Sequence, residues 1–215
     1  AFAVKAGAQR LAAQHGLIVV APDTSPRGDT VPDDPAYDLG QGASFYLNAT
    51  RSPWSQHFQM GRYIADELPA LLARELPLRP DALGICGHSM GGHGALVLAL
   101  RHPGRFRSVS ALAPICNPSV VPWGRKAFTA YLGEDPAAWH EHDAVELLRH
   151  GVPGLLSRRQ VAPHHVEEEG PRPARRVERA RGQRRRDRRL HHLLRQPVGR
   201  VVLAQLLAGL RRDDR

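Results

Sequence analysis

Residues 82–100, ALGICGHSMGGHGALVLAL, constrain this 215-residue chain more than any other stretch. They open on a short apolar run, Ala82-Leu83-Gly84-Ile85-Cys86, of the length and composition of a buried parallel strand. A tight turn, Gly87-His88-Ser89-Met90-Gly91, follows, and then a helix-like run of Ala, Val and Leu. Strand, G-x-S-x-G and helix in that order form the context in which the pattern acts as a nucleophile elbow. A serine in such a turn sits in a strained backbone conformation that projects its hydroxyl, and Gly87 and Gly91 leave room for strand and helix to close around it. Gly92, Gly94 and Ala95 are small enough to start the helix hard against the sheet. Ser89 is therefore the candidate nucleophile. Met90, whose amide lies at the helix N-terminus, is the candidate oxyanion donor. The plain alternative is a glycine-rich turn that happens to contain a serine.

The flanking sequence extends an α/β pattern. Residues 2–14 place Phe2, Val4, Ala8, Leu11 and Ala12 at helical spacing, His15-Gly16 closes the helix, and Leu17-Ile18-Val19-Val20-Ala21 reads as a buried strand. Residues 22–48 form a long loop rich in Pro, Gly and Asp. Such loops are usually functional or disordered, and Tyr37, Phe45 and Tyr46 argue against disorder. Asp23, Asp33, Asp34 and Asp38 are read as turn and solvation residues, since no EF-hand order is present. Residues 54–76 predict a helix with Met60, Tyr63, Ile64, Leu68, Leu71 and Leu72 on one face, and His57 is read as structural. Residues 106–113 predict a further strand, ending in a loop at the sheet edge where open α/β folds build sites. Residues 123–132 and 139–148 read as short helices.

The net charge of +9 divides unevenly. Residues 153–215 hold 17 Arg, no Lys and 7 acidic residues, a net +10, which leaves residues 1–152 at −1. The basicity belongs to the tail. Two cysteines, Cys86 and Cys116, do not make a disulfide framework, so a reducing cytoplasm is expected, and no Cys/His spacing matches a zinc site. No run is long and apolar enough to read as a signal peptide or a membrane span.

Six segments in register carry a specific resemblance: KAGAQR at 5–10, APDTSPRG at 21–28, YDLGQGASFYLNAT at 37–50, GHSMGGHGAL at 87–96, APICNP at 113–118 and WGRKAFTAYLGED at 123–135. Together, over about residues 3–152, the chain closely resembles the S-formylglutathione hydrolase (esterase D) family. The resemblance implies an α/β-hydrolase fold, a mostly parallel sheet flanked by helices. It implies a cytoplasmic, usually dimeric serine thioesterase that releases formate and glutathione in formaldehyde catabolism, with side activity on small carboxylic esters. It implies Ser89 as nucleophile, the Met90 amide as one oxyanion donor, and no metal or organic cofactor.

Three departures qualify that expectation. Family members carry strands and a glycine-containing loop ahead of KAGAQR, so an N-terminally truncated hydrolase unit over residues 1–152, short of one oxyanion donor, is expected. Loss of one such donor costs about 2.7–4 kcal/mol of transition-state stabilisation. The family's acid lies in a DQG-type motif and its base in a GYDHSYYF-like segment, and neither follows Leu156. His164, His165, His191 and His192 lack the family's neighbours, and Asp187 lies among six arginines, so acid and base are unassigned. The Arg-dense residues 153–215 have the composition of a GC-rich frame read out of register, and a solvated, disordered tail is expected. Weak or absent activity follows. The competing readings are a general carboxylesterase of the same fold and, from another class, an inactive remnant or a basic nucleic-acid-binding protein. The tail shows no nucleic-acid-binding motif and no aromatic platform, so neither nucleic acid nor membrane is expected as a partner.

Overall fold

The computed structural model describes residues 7–151 and 200–205. Phe2 and Val4 of the first expected helix lie outside them, as do residues 152–199 and 206–215 of the tail. Helix α1, Ala8–His15, ends at Gly16, whose left-handed backbone (φ 61°) suits glycine and turns the chain into strand β1, Leu17–Val20. Strand β2, Leu83–His88, runs to the residue before Ser89, and helix α3, Met90–Arg101, begins at the residue after it. Strand β3, Ser108–Leu112, pairs parallel to β2 with Gly84 opposite Ser108 and His88 opposite Leu112.

Between β1 and β2 the expected single helix at 54–76 is interrupted. Trp54–Gln56 makes one 3₁₀ turn. Helix α2 then runs Met60–Arg62, widens over Tyr63–Glu67, and regains α geometry over Leu68–Glu75. Pro69 accounts for the widening over Tyr63–Glu67. Its ring crowds the carbonyl four residues earlier, and it has no N–H to offer that carbonyl. The Ala65 carbonyl is satisfied instead by Arg105, whose Nε and Nη2 donate to it at 3.1 and 2.9 Å. Asn48 Oδ1 accepts from the Arg62 amide at 2.9 Å and ties the start of α2 to the long loop.

The fourth strand, β4, Arg200–Gln205, was not anticipated: this short apolar stretch sits within the Arg-rich tail. It lies parallel between β1 and β2, giving the order β1-β4-β2-β3. Helix α3 packs on β2 and β3, and α1 on β1. The result is the expected class, a parallel sheet flanked by helices.

The long loop is ordered by its aromatic residues. Phe45 and Tyr46 are buried, while Tyr37 is exposed. Helix α4, Pro122–Leu132, anchors this loop through Tyr131, whose hydroxyl donates to the Ala43 carbonyl (2.7 Å) and accepts from the Gly40 amide (2.9 Å). Tyr131 also stacks on Phe58 at 5.2 Å and meets Trp54 edge-on. The four loop aspartates do more than form turns and meet solvent. Asp33 accepts from the Asp34 and Gln41 amides, Asp34 and Asp38 hold Lys126, and Asp23 pairs with Arg27.

A tight approach seats α4. A Cβ on Gly124 would overlap the Pro118 carbonyl oxygen and lie 2.7 Å from its carbon. Alanine ordinarily stabilises an exposed helix position by about 1 kcal/mol over glycine. Here Gly124→Ala should instead cost about 3 kcal/mol, the upper end of overpacking penalties. Urea denaturation of the variant checks the sign: a gain in stability would contradict this packing.

Candidate active site

Ser89 joins β2 to α3 with φ 55° and ψ −114°, a conformation that L-residues with a Cβ rarely adopt. Strain of this kind costs on the order of 1–3 kcal/mol and persists only where surrounding bonds fix it. Three bonds do so here. The Ser89 amide donates to the Leu112 carbonyl at the end of β3 (2.9 Å). Its own carbonyl accepts from His93 in the first turn of α3 (2.9 Å) and from Ile115 in the loop after β3 (3.3 Å). Gly92 lets α3 begin this close to the loop: a Cβ there would meet Pro114 at 3.0 Å and the Gly87 carbonyl at 3.2 Å. Ser89 itself is half-buried, while the Met90 side chain is buried. As the first residue of α3, Met90 has an amide with no acceptor inside the helix.

The loop that holds Ser89 is itself held from behind by a polar cluster. Buried His93 donates from Nδ1 to the Ile115 carbonyl at 3.1 Å, a tautomer set by an acceptor that can only accept. Its Nε2 makes no hydrogen bond, and Phe45 packs edge-on against the ring at 5.7 Å. Burial drives the His93 pKa down to about 4, against smaller opposing effects of the Ile115 carbonyl and Asp143, so the ring is neutral. His142 is also buried and is pushed down to about 3, chiefly by burial and then by the Arg101 charge.

Asp143 organises this region. Burial raises its carboxyl pKa, but hydrogen bonds from the Asn117 side chain, the Ser119 amide and hydroxyl and the Glu146 amide outweigh burial and hold it below the usual value. Asn117 donates to both oxygens at 2.9 Å, and the Ser119 hydroxyl donates at 2.7 Å. Asp143 also caps helix α5, Ala144–His150, by accepting from the Val145 and Glu146 amides. The expected helix at 139–148 is thereby divided into a 3₁₀ stretch, Pro136–His142, and α5. The signal was present in the sequence: Asp143 followed three residues later by Glu146 is a helix-start pattern. Asp143→Ala should strand several buried donors and cost about 3–5 kcal/mol. A smaller loss in chemical denaturation would show that the loop is held by other means.

Among the described residues, no histidine ring or carboxylate hydrogen-bonds the Ser89 hydroxyl. His93 points into the core, and His57 sits in the turn after Trp54–Gln56 with its amide bonded to the Trp54 carbonyl. His164, His165, Asp187, His191 and His192 lie outside the described residues. Cys86, half-buried in β2, and exposed Cys116 are both free thiols. No helix among the described residues is long and apolar enough to cross a membrane.

A serine held at a strained strand-to-helix junction on a parallel sheet has the geometry of a nucleophile elbow. Consistent with this, the Esterase family model matches residues 1–164. The chain belongs to that esterase family and has its α/β-hydrolase fold. It is 58% identical over 151 residues to the S-formylglutathione hydrolase of Paracoccus denitrificans (strain Pd 1222), a match covering 70% of this chain and 54% of the relative. A solved structure of an S-formylglutathione hydrolase from Agrobacterium tumefaciens superposes with a TM-score of 0.68 at 48% identity, covering 70% of this chain and 55% of that one. The chain thus spans about half the length of these relatives.

Proposed function

We propose that this chain is an S-formylglutathione hydrolase unit in which Ser89 is the nucleophile and the Met90 amide an oxyanion donor. The observation that carries the reading is the positive-φ backbone of Ser89 at the β2–α3 junction, together with the names of its relatives. The Ser89 hydroxyl attacks the formyl carbon as solvent water takes its proton, and the carbonyl π pair moves onto oxygen beside the Met90 amide. Collapse of this intermediate breaks the C–S bond, releases glutathione thiolate and leaves formyl-Ser89. Water then adds to the formyl carbon, and formate leaves as the serine is restored.

The proton needs a general base, and no described side chain contacts the hydroxyl to serve as one. The family's acid and base motifs are not found after Leu156, so weak turnover is expected of this chain. The catalytic unit is residues 1–152 together with strand β4, Arg200–Gln205, which completes its sheet between β1 and β2. Free Cys86 and Cys116 suit a reducing compartment such as the cytoplasm. Steady-state kinetics on S-formylglutathione and p-nitrophenyl acetate test the substrate. The reading expects a higher kcat/KM for the thioester, and the opposite order would make the chain a general carboxylesterase.

A further inference from the structure

We propose that His140, Glu146 and His150 form a binding site for a divalent transition metal, zinc by its donor set, that clasps the 3₁₀ stretch Pro136–His142 to helix α5. Glu146 and His150 are four residues apart and share one face of α5. The capping bonds of Asp143 fix the start of α5 immediately after the 3₁₀ stretch, and His140 on that stretch meets the same face. The imidazoles of His140 and His150 stack with centroids 4.8 Å apart and planes 20° from parallel. His150 Nε2 lies 3.5 Å from Glu146 Oε2, and one donor atom from each of the three residues lies within 4.8 Å of the others.

Zinc bonds of about 2.0–2.2 Å in tetrahedral geometry place ligand atoms about 3.3 Å apart. The His150–Glu146 separation of 3.5 Å is already close to that value, and the His150 side chain is 63% exposed. Two imidazoles and one carboxylate suit zinc, copper or nickel and not the all-oxygen shells of calcium or magnesium.

The Glu146 side chain is only 12% exposed, and Arg149 Nη1 holds its Oε1 at 2.6 Å, which leaves Oε2 directed at the histidine. His150 is the last residue of α5, at the negative end of the helix dipole. These groups line a pocket of about 480 Å³ beside Leu100 and Pro103. Arg101, the cation facing this pocket, is committed to Glu141 at 3.2 Å and to His142. With three protein ligands and a position left for water, the bound ion would brace the two segments that meet at Asp143, the residue holding the Asn117–Ser119 loop.

The test uses the full chain, stripped with chelator and titrated with Zn²⁺ by calorimetry and with Co²⁺ by visible absorption. A control variant replaces His164, His165, His191 and His192 with alanine, so that binding by other histidines is separated from this site. The proposal expects one equivalent to bind in the control, with a Zn²⁺-dependent rise in Tm and a Co²⁺ ligand-field band. His150→Ala, at an exposed position, and His140→Ala should each weaken binding at least tenfold, since changes in outer-shell partners alone cost about 10–100-fold. Glu146→Gln should weaken it likewise. Circular dichroism of the metal-free variants verifies their fold, and His150→Ala carries the test if His140→Ala does not fold. Absence of binding, loss of binding in the control, or affinity unchanged in His150→Ala would overturn the proposal.

Discussion

Ser89→Gly is expected to abolish ester hydrolysis while raising stability by up to about 2.5 kcal/mol. The two effects have one cause. Ser89 holds φ 55° and ψ −114° against the preference of any residue with a Cβ, at a cost of about 1–3 kcal/mol. Glycine reaches that conformation without the clash but brings an unfolded-state entropy penalty of about 0.5–1 kcal/mol, which leaves a net gain. Ser89→Ala keeps the Cβ and the strain, so its stability should match the parent within about 0.5 kcal/mol. Its hydrolysis of p-nitrophenyl acetate should nonetheless fall to the buffer rate, because loss of the nucleophile removes the covalent route. The pair of variants separates chemistry from folding. Urea denaturation alongside the assay would contradict the account if Ser89→Gly proved clearly less stable than Ser89→Ala, or if either retained parental activity.

Stability should fall steeply as pH drops from about 6.5 towards 4. His93 and His142 are neutral in the folded protein, with burial holding their pKa values at about 4 and about 3. In the unfolded chain both take up a proton below about 6.5. Between these limits the unfolded state binds more protons, so each histidine removes about 1.4 kcal/mol of stability per pH unit of acidification. Two such residues over two units amount to about 5 kcal/mol, a large share of the 5–15 kcal/mol typical of a domain. Asp143, held below its ordinary value, adds a loss of the same direction at still lower pH, once the unfolded carboxyl protonates. Equilibrium unfolding at pH 7.5, 6.5, 5.5 and 4.5 measures the slope. His142→Gln, whose amide oxygen can still accept from Arg101, should roughly halve it. A flat profile between pH 6.5 and 4.5 would contradict the neutral, buried state of both rings.

The elbow and its two flanking elements were legible because each rests on local chemistry: an apolar run, a glycine-bounded turn and an alanine-rich helix. The long loop at 22–48 was legible as ordered through Phe45 and Tyr46, but its means of anchorage was not. Tyr131 reaches it from about ninety residues further along the chain, and no periodicity encodes such a contact. The break in α2 follows from Pro69, whose effect depends on Arg105 arriving to satisfy Ala65. Hydrophobic spacing carried the predicted helix at 139–148 straight through Asp143, where side-chain capping divides it. Strand β4 was hidden for a different reason. A six-residue segment with only four apolar residues, Val201 to Ala204, fits helix or strand equally well by pattern, and its place between β1 and β2 is decided by tertiary pairing. The His140–Glu146–His150 cluster draws on two elements, so no Cys/His spacing of the usual zinc frameworks reveals it.

The most direct test of the central claim is to trap the nucleophile. The chain is incubated to completion with a fluorophosphonate, digested and mapped by peptide mass spectrometry, with S-formylglutathione hydrolysis followed on the same samples. The account predicts one phosphonate on the peptide containing Ser89, loss of hydrolysis in proportion to labelling, and no label in Ser89→Ala. Hydrolysis that survives full modification of Ser89, or label carried by another residue, would contradict it.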